Sequence, residues 1–320
     1  MSEPRWAYRH GLHDLGGGVF AWLQPDGGWG WSNAGLVVDG EASLLVDTLF
    51  DAKLTAEMLA AMEDAAGVAA ADIDVLVNTH ANGDHTFGNG LAPGARIIAS
   101  ASSAEEMEEQ SPQRLASLMR RADEFGEAGE YLRRIFAPFD FEGAAPKAPT
   151  ETFDGRKQVN VGDKRVDLYE VGPAHTRGDV IVHSPSDGVV FTGDILFIEG
   201  TPIMWTGPVG NWLKACDFIC ELAPQAVVPG HGPITDLSGV RAVADYLAYI
   251  DREARQRFDA GLSVRDAAFD IALGDFANWG DAERLAVNVQ TLYREYGAEP
   301  VDDGGPFQLM AELARRGPRR

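Results

Sequence analysis

The sequence of 320 residues predicts an α/β fold with two strand-rich halves and a helical C-terminal extension. Short apolar runs separated by Gly, Pro and Asp occur in two groups, which predicts two sets of strands. Segments with helical spacing lie between the groups and after the second one. Polar strings rich in His and Asp follow several strand-like runs, where the catalytic loops of α/β folds usually lie.

The first half is predicted to build a platform for one polar loop. It opens with a meander of three strands at 19–24, 34–38 and 43–47, and Gly27 to Trp31 forms a hairpin tip. Apolar residues at helical spacing predict a helix over 52–66 that ends at Gly67. A buried strand at 73–77 then runs into the polar string 78–85, and another strand follows at 95–100.

A helical insertion and a second group of strands complete the predicted domain. Helix formers dominate an insertion at about 103–140, and a Pro-Ala linker follows at 144–150. Strands are predicted at 158–161, 165–171, 180–183 and 189–192. We therefore expect one domain over 1–236 and a helical extension over 237–320. The extension could be a cap, a dimerisation element or a part of the substrate-binding region.

Composition excludes several classes of partner. The formal net charge of −22 and the pI of about 4.6 disfavour binding to nucleic acid or to an anionic membrane. No apolar run approaches the roughly 20 residues that a membrane helix needs, and the N-terminus lacks the apolar core of a secretory signal. We expect a cytoplasmic protein in which Cys216 and Cys220 are reduced.

Four of the seven His residues lie at strand ends or in Gly-rich loops beside acidic residues. They occur in the strings HANGDH (His80, His85), GPAHTRGD (His175) and VVPGHGP (His231), and Asp194 ends VVFTGD. Imidazole and carboxylate together suit zinc or iron, and such a set can hold a second metal roughly 3.5–4 Å from the first. His183 lies on a strand outside these motifs and is expected to be a packed or exposed strand residue.

These motifs resemble those of the metallo-β-lactamase-fold superfamily, whose signature is H-x-H-x-D-H followed by a His, an Asp and a final His. The resemblance covers residues from about 17 to 236. It implies an αββα sandwich with a binuclear metal site in the groove between its two sheets. The two strand-rich halves agree with that architecture.

The resemblance also implies a set of metal ligands, in which Asn82 stands where the family usually has its second His. The first metal position would be lined by His80, Asn82 and His175. Asp84, His85 and His231 would line the second, and Asp194 would bridge both. Because an amide oxygen is a poorer zinc ligand than imidazole, we expect one or two zinc ions, with the first bound more weakly. The trio His80, His175 and Asp194 could alternatively hold a single iron.

The activity implied is that of a metal-dependent hydrolase. A metal-bound hydroxide would attack an ester-like bond, a thioester or lactone, and Asp84 would orient the hydroxide. One alternative is a polyketide-type cyclase, because the loop TPIMWTGPVGNW and the helical tail resemble such members of the fold. A mononuclear iron oxygenase acting on a sulfur compound and a non-catalytic metal-binding protein are further alternatives.

Aromatic residues near the motifs predict an apolar or aromatic small-molecule substrate. Trp29 and Trp31 lie in the hairpin tip GGWGW, which in the family often forms a flap at the groove, and Trp205 follows Asp194 in an apolar loop. These rings would close over the substrate. Alternatively, they pack on the helical insertion or on a second subunit, so a homo-oligomer remains open.

Overall fold

Two β-sheets lie at the centre of the structure, a computed structural model that describes residues 5–299 and 305–317. In the first sheet, strands one to four pair antiparallel with one another, and strands four to seven pair in parallel. In spatial order its strands are β1 (Gly11–Gly16), β2 (Val19–Leu23), β3 (Ala34–Asp39), β4 (Ala42–Val46), β5 (Val75–Val77), β6 (Arg96–Ser100) and β7 (Glu151–Phe153).

The second sheet, as described, contains five strands. The strand that comes last in the chain pairs in parallel with its neighbour, and the other pairs are antiparallel. In spatial order the strands are β12 (Ala226–Val228), β11 (Val189–Phe191), β10 (Val180–Ser184), β9 (Lys164–Glu170) and β8 (Arg156–Val161).

The α-helices of the described residues cover the outer faces of the sheets and build the C-terminal region. They are α1 (Ala52–Ala66), α2 (Gly83–Thr86), α3 (Ala101–Glu109), α4 (Pro112–Arg120), α5 (Gly126–Phe136), α6 (Val209–Leu222), α7 (Leu237–Asp259), α8 (Val264–Asp270), α9 (Leu285–Glu295) and α10 (Pro306–Arg316). None of the described helices is both long and apolar enough to cross a membrane.

Alternation along the strands explains the four layers. In β3, Val37 packs into the core between the sheets, whereas Leu36 packs outward against α1. In β10, Val182 faces the core between the sheets and Ile181 faces outward, in the cluster that contains Trp212 of α6. Strands buried on both faces need continuous apolar runs, which is why these strands were visible in the sequence.

The predicted α/β class and the αββα sandwich with a C-terminal helical region are confirmed. Strands β1 and β7 were not predicted, and β12 was predicted only as a strand-like run before His231, without bounds. β1 (GLHDLG) is an edge strand with little apolar character, and β7 has only three residues. Helices α3, α4 and α5 fall in the expected insertion, and α10 packs against α5, so the insertion and the C-terminal region are in contact.

Candidate metal centre

The polar loops that follow β5, β9, β11 and β12 meet at one edge of the sandwich. The loop after β5 carries the HANGDH string, and the later loops carry His175, Asp194 and His231 in turn. Strand ends place side chains accurately because the sheets hold the backbone on one side of each loop. The seven predicted ligands therefore lie together, although the longest gap between them in sequence is that from His85 to His175.

Asp194 lies at the centre of the cluster. Its Oδ1 is 3.1 Å from Nε2 of His85, and its Oδ2 is 3.4 Å from Nε2 of both His175 and His231. The same Oδ2 lies 3.8 Å from Nε2 of His80. The carboxylate thus faces all four imidazoles, the place that the superfamily pattern assigns to a ligand shared by two metals.

Hydrogen bonds to the outer ring nitrogens fix three of these imidazoles. His85 Nδ1 donates to Oδ2 of Asp47 over 2.9 Å, and His175 Nδ1 donates to the carbonyl oxygen of Ile203 over 2.6 Å. The Thr79 hydroxyl donates to Asp47 and so accepts from Nδ1 of His80, 3.1 Å away. When Nδ1 carries the proton, Nε2 presents a lone pair to the centre, which is the tautomer that a metal needs.

Three inner atoms of the cluster lack hydrogen-bond partners, which fits a metal. Nε2 of His80, Nε2 of His85 and Oδ1 of Asp194 are buried and make no hydrogen bond. Buried polar atoms without partners are rare in native proteins because each one loses its hydration. Among the described residues, two triads have ligand atoms close enough to share one ion, namely His80, His85 and Asp194, and Asp84, His85 and His231. The donor set therefore fits one or two divalent cations.

Asn82, which stands where the family usually has its second His, also faces the His and Asp cluster. Oδ1 of Asn82 lies 2.8 Å from Nε2 of His175, whose Nδ1 proton is engaged by Ile203. When the His175 ring is neutral, its Nε2 and Oδ1 of Asn82 present lone pairs to each other, which is favourable only if both could coordinate the same cation. With the amide turned over, its NH₂ group would instead donate to His175 and close the first metal position.

The carboxylates of the cluster favour a bound cation. Burial, together with the neighbouring His85, lowers the pKa of His80, and burial lowers that of His175. Burial also opposes protonation of His231, but Asp194 and Asp84 raise its pKa to about 9. The carboxylates therefore draw a proton onto an imidazole, and a bound metal would supply that positive charge instead.

Asn82→His should strengthen the first metal position. Replacing the amide by an imidazole is expected to lower the dissociation constant of the weaker ion by about tenfold or more. Competition with a chromogenic chelator measures that constant. The matched control is Asn160→His, which adds a histidine at an exposed position of β8. Superimposable chelator titrations for Asn82→His and the wild type would contradict the prediction.

A cavity of about 370 Å³ opens onto the cluster. Asn82, Asp84, His175, Asp194 and His231 lie at its polar end. The remaining wall is largely aromatic, and its aromatic residues come from several segments of the chain. They are Trp29, Phe50, Phe136, Phe197, Trp205 and Phe307.

Two of the three tryptophans predicted near the substrate line this cavity. Trp29 and Trp205 face each other with ring centroids 6.3 Å apart. Trp31 does not line it, because its ring packs on Phe139 with centroids 4.9 Å apart. Phe139 follows α5 of the helical insertion, so Trp31 packs on the insertion, which was the alternative to contacting the substrate.

Sequence reasoning missed Asp47, Arg284 and Phe307. Asp47 follows β4 with a backbone φ of 62°, an uncommon conformation for a residue other than glycine, and it supports His85 directly and His80 through Thr79. An acidic residue at the end of a buried strand was its available signal. Arg284 and Phe307 lie far along the helical region, and no local pattern connects them to the cavity.

The αββα sandwich gathers at one edge His and Asp side chains that could hold a metal ion. Residues 27–231 match the family model Lactamase_B, described as the metallo-beta-lactamase superfamily, and the chain belongs to that superfamily. The predicted family is confirmed.

Curated relatives match a short part of the chain. Acyl-coenzyme A thioesterase MBLAC2 of Homo sapiens is 26% identical over 89 residues, which are 26% of this chain and 31% of that protein. Hydroxyacylglutathione hydrolase of Maricaulis maris is 35% identical over 80 residues, which are 22% of this chain and 30% of that protein. The chain thus spans about a third of the length of these relatives, both of which are named as hydrolases.

Solved structures share the fold over more of the chain. The stereoselective inverting sec-alkylsulfatase Pisa1 from Pseudomonas sp. superposes with a TM-score of 0.68 and 14% identity, over 92% of this chain and 51% of that one. A metallo-beta-lactamase from Pontibacter korlensis has a TM-score of 0.57 and 18% identity, over 75% of this chain and 99% of that one. At such identities the likeness establishes the fold alone.

Proposed function

We propose that this enzyme hydrolyses an ester-like bond, a thioester or a lactone, in an apolar or aromatic small molecule, with zinc as its metal. The observation that carries the proposal is a cavity that joins an aromatic wall to the His and Asp cluster. An aromatic wall favours a flat apolar substrate, because stacking and burial of apolar area both stabilise it there. The cluster at the other end is where the reacting bond would lie.

A metal held by the His and Asp cluster would supply the electrophilic part of the chemistry, namely polarisation of a carbonyl and a lowered pKa for water. The chain's own residues supply binding, orientation and a base. Hydrolysis adds the water oxygen to the acyl carbon and breaks the bond to sulfur or oxygen, and the leaving group takes up a proton. A thiolate needs little protonation to leave, so a thioester is a less demanding substrate than an amide.

Asp84 is suited to hold the attacking water. Although burial opposes its ionisation, His85 and the hydrogen bond from His231 lower the pKa of Asp84 to about 2. Its Oδ2 lies 3.3 Å from Nε2 of His231, and the residue lines the cavity. At neutral pH it is a carboxylate that only accepts hydrogen bonds, so it would orient a water by accepting one of its protons.

Removal of the metal, with measurement of the products formed, tests the proposal. We expect the zinc-loaded protein to convert aromatic acyl thioesters into equal amounts of free acid and free thiol, and aromatic lactones into hydroxy acids. Dialysis against a chelator should reduce this rate by at least about a thousandfold, since the metal provides most of the activation of water. Added zinc should restore it, whereas added magnesium, which prefers oxygen ligands, should not.

Three outcomes would count against this function. A cyclised chromophore in place of free acid would favour the cyclase alternative. Oxygen consumption with bound iron would favour an oxygenase. A metal-loaded protein with no rate above buffer on these substrates would favour a binding role.

A further inference from the structure

A stripe of polar side chains runs along one face of the buried helix α9. Its members recur at positions i, i+4, i+7 and i+11, which is the spacing of a single helix face. They are Arg284, which immediately precedes the helix, Asn288, Thr291 and Glu295. The first three are at most 2% exposed. Burial of polar groups is unfavourable unless they are hydrogen-bonded, so this face of the helix needs polar partners.

The partner of the stripe is the backbone of residues 201–209. Nδ2 of Asn288 donates to the carbonyl oxygen of Pro202 over 2.8 Å, and its Oδ1 accepts from the N–H of Met204 over 2.8 Å. The hydroxyl of Thr291 donates to the carbonyl oxygen of Met204 over 2.7 Å. Two side chains of α9 therefore hold both peptide groups of Met204 and the carbonyl of Pro202.

The two ends of the stripe hold the ends of the same segment. Nη1 of Arg284 donates to the carbonyl oxygen of Thr201 over 3.0 Å, and Oε1 of Glu295 accepts from the N–H of Val209 over 3.0 Å. Residues 201–208 form no helix or strand, so no regular ladder satisfies their backbone groups. The side chains of α9 supply the partners that a sheet would otherwise provide.

The same segment is also bonded to the metal ligand His175. The carbonyl oxygen of Ile203 accepts from Nδ1 of His175 over 2.6 Å. The N–H groups of Trp205 and Thr206 donate to the carbonyl oxygen of His175 over 3.1 and 3.2 Å. The segment thus connects α9 to both the ring and the backbone of this ligand.

Asn288 fixes the peptide groups that set the direction of the Ile203 carbonyl. Its bonds to the segment fall on Pro202 and Met204, the residues on either side of Ile203. The Ile203 carbonyl in turn selects the tautomer and the ring orientation in which His175 presents Nε2 to a metal. A change in α9 that moves this carbonyl would therefore loosen a ligand that α9 itself does not touch.

We propose that Asn288 and Thr291 are positioning residues for the metal centre, which act through the Ile203 carbonyl on the orientation of His175. The inference goes beyond the proposed function, because it concerns the affinity for a metal and not the substrate. It also assigns the C-terminal helical region a role at the metal centre itself.

Asn288→Asp tests this role in the full chain. The substitution keeps the shape of the side chain but turns the NH₂ donor into a carboxylate oxygen that faces the carbonyl of Pro202. Loss of an outer hydrogen bond to a metal ligand weakens metal binding by about 10–100-fold, so we expect the zinc dissociation constant of the position that includes His175 to rise about tenfold. Competition with a chromogenic chelator measures the constant, and His175→Gln identifies the position.

Thr291→Val makes the same test with a nearly isosteric side chain. It removes only the hydroxyl, and we expect zinc binding to weaken in the same direction. Thr291→Ser restores a hydroxyl and should recover most of the lost affinity. The matched control is Tyr249→Phe, which removes a hydroxyl that donates to the carbonyl oxygen of Ala272 in the same helical region, away from the segment. We expect no change in zinc affinity for this control.

The orientation of His175 is measured separately, from the NMR signal of its Nδ1–H in zinc-loaded protein that contains isotope-labelled histidine. The signal is assigned by its loss in His175→Gln. A hydrogen bond to a buried carbonyl protects this proton from exchange with water. We expect the exchange rate to rise by about tenfold or more in Asn288→Asp and to stay at the wild-type value in Tyr249→Phe.

Wild-type zinc affinity in folded Asn288→Asp and Thr291→Val would overturn the inference. So would weaker binding with an unchanged exchange rate at His175, because the effect would then not pass through this ligand. A loss of affinity in Tyr249→Phe as large as in Thr291→Val would also contradict it, since any hydroxyl of the region would then have the same effect. Thr291→Val decides the matter if Asn288→Asp does not fold. None of these measurements depends on hydrolysis.

Discussion

Asp194→Asn should abolish hydrolysis and most metal binding. The substitution keeps the shape of the side chain but removes the negative charge that faces four imidazoles, with Oδ1 and Oδ2 lying 3.1–3.8 Å from their Nε2 atoms. A neutral amide cannot bridge two cations as a carboxylate does, so we expect the rate to fall by at least about a thousandfold, or about 4 kcal/mol of activation free energy. Elemental analysis and a thioester assay measure the two effects.

Asp167→Asn is the matched control for this change. Asp167 is also a fully buried carboxylate, but it pairs with Arg156 and Arg165 in the second sheet, outside the metal cluster. Its loss should lower the free energy of unfolding and leave the metal content per folded chain unchanged. Wild-type metal content and wild-type rate in Asp194→Asn would contradict the central role of this carboxylate.

Gly230→Ala should damage the same centre through packing alone. A Cβ at position 230 would overlap Oδ1 of Asp194 and lie 2.6 Å from the carbonyl carbon of Gly193. The backbone cannot yield as a flexible side chain does, so the Asp194 carboxylate would have to move. A displacement of about 1 Å in a catalytic group reduces rates by about a hundredfold, which is the loss we expect in the thioester assay, together with weaker metal binding.

Gly210→Ala provides the control for the loss of a glycine. A Cβ at that position, in the first turn of α6, would meet no atom within 4 Å. Alanine is a better helix former than glycine, so the thermal midpoint should stay the same or rise slightly, and the rate should stay at the wild-type level. Equal rates for Gly230→Ala and the wild type would show that the centre tolerates the added methyl group.

The sequence was most informative where a residue type is chemically required. Metal ligands must be His, Asp or a few other residues, and here they follow buried strands whose apolar runs are themselves visible. This is why HANGDH, His175, Asp194 and His231 could be identified together and why the structure brings them to one edge. Asp47 shares the same strand-end position but lies outside the His-rich strings, so only the tertiary structure reveals its hydrogen bonds to His85 and Thr79.

The aromatic wall shows the opposite case. Trp29 and Trp31 are two residues apart and alike in type, yet one lines the cavity and the other packs on Phe139. Which ring turns inward depends on neighbours from the helical insertion and the C-terminal region, and no periodicity in GGWGW specifies those neighbours.

By itself, the sequence determined the α/β class and the superfamily and predicted which residues would hold a metal, because each of these depends on residue type at positions set by local secondary structure. The tertiary structure alone decided that Arg284 and Phe307 complete a cavity with Trp29, although they lie more than 250 residues away along the chain. Contacts over such separations arise from the packing of whole helices, which leaves no short-range pattern in the sequence.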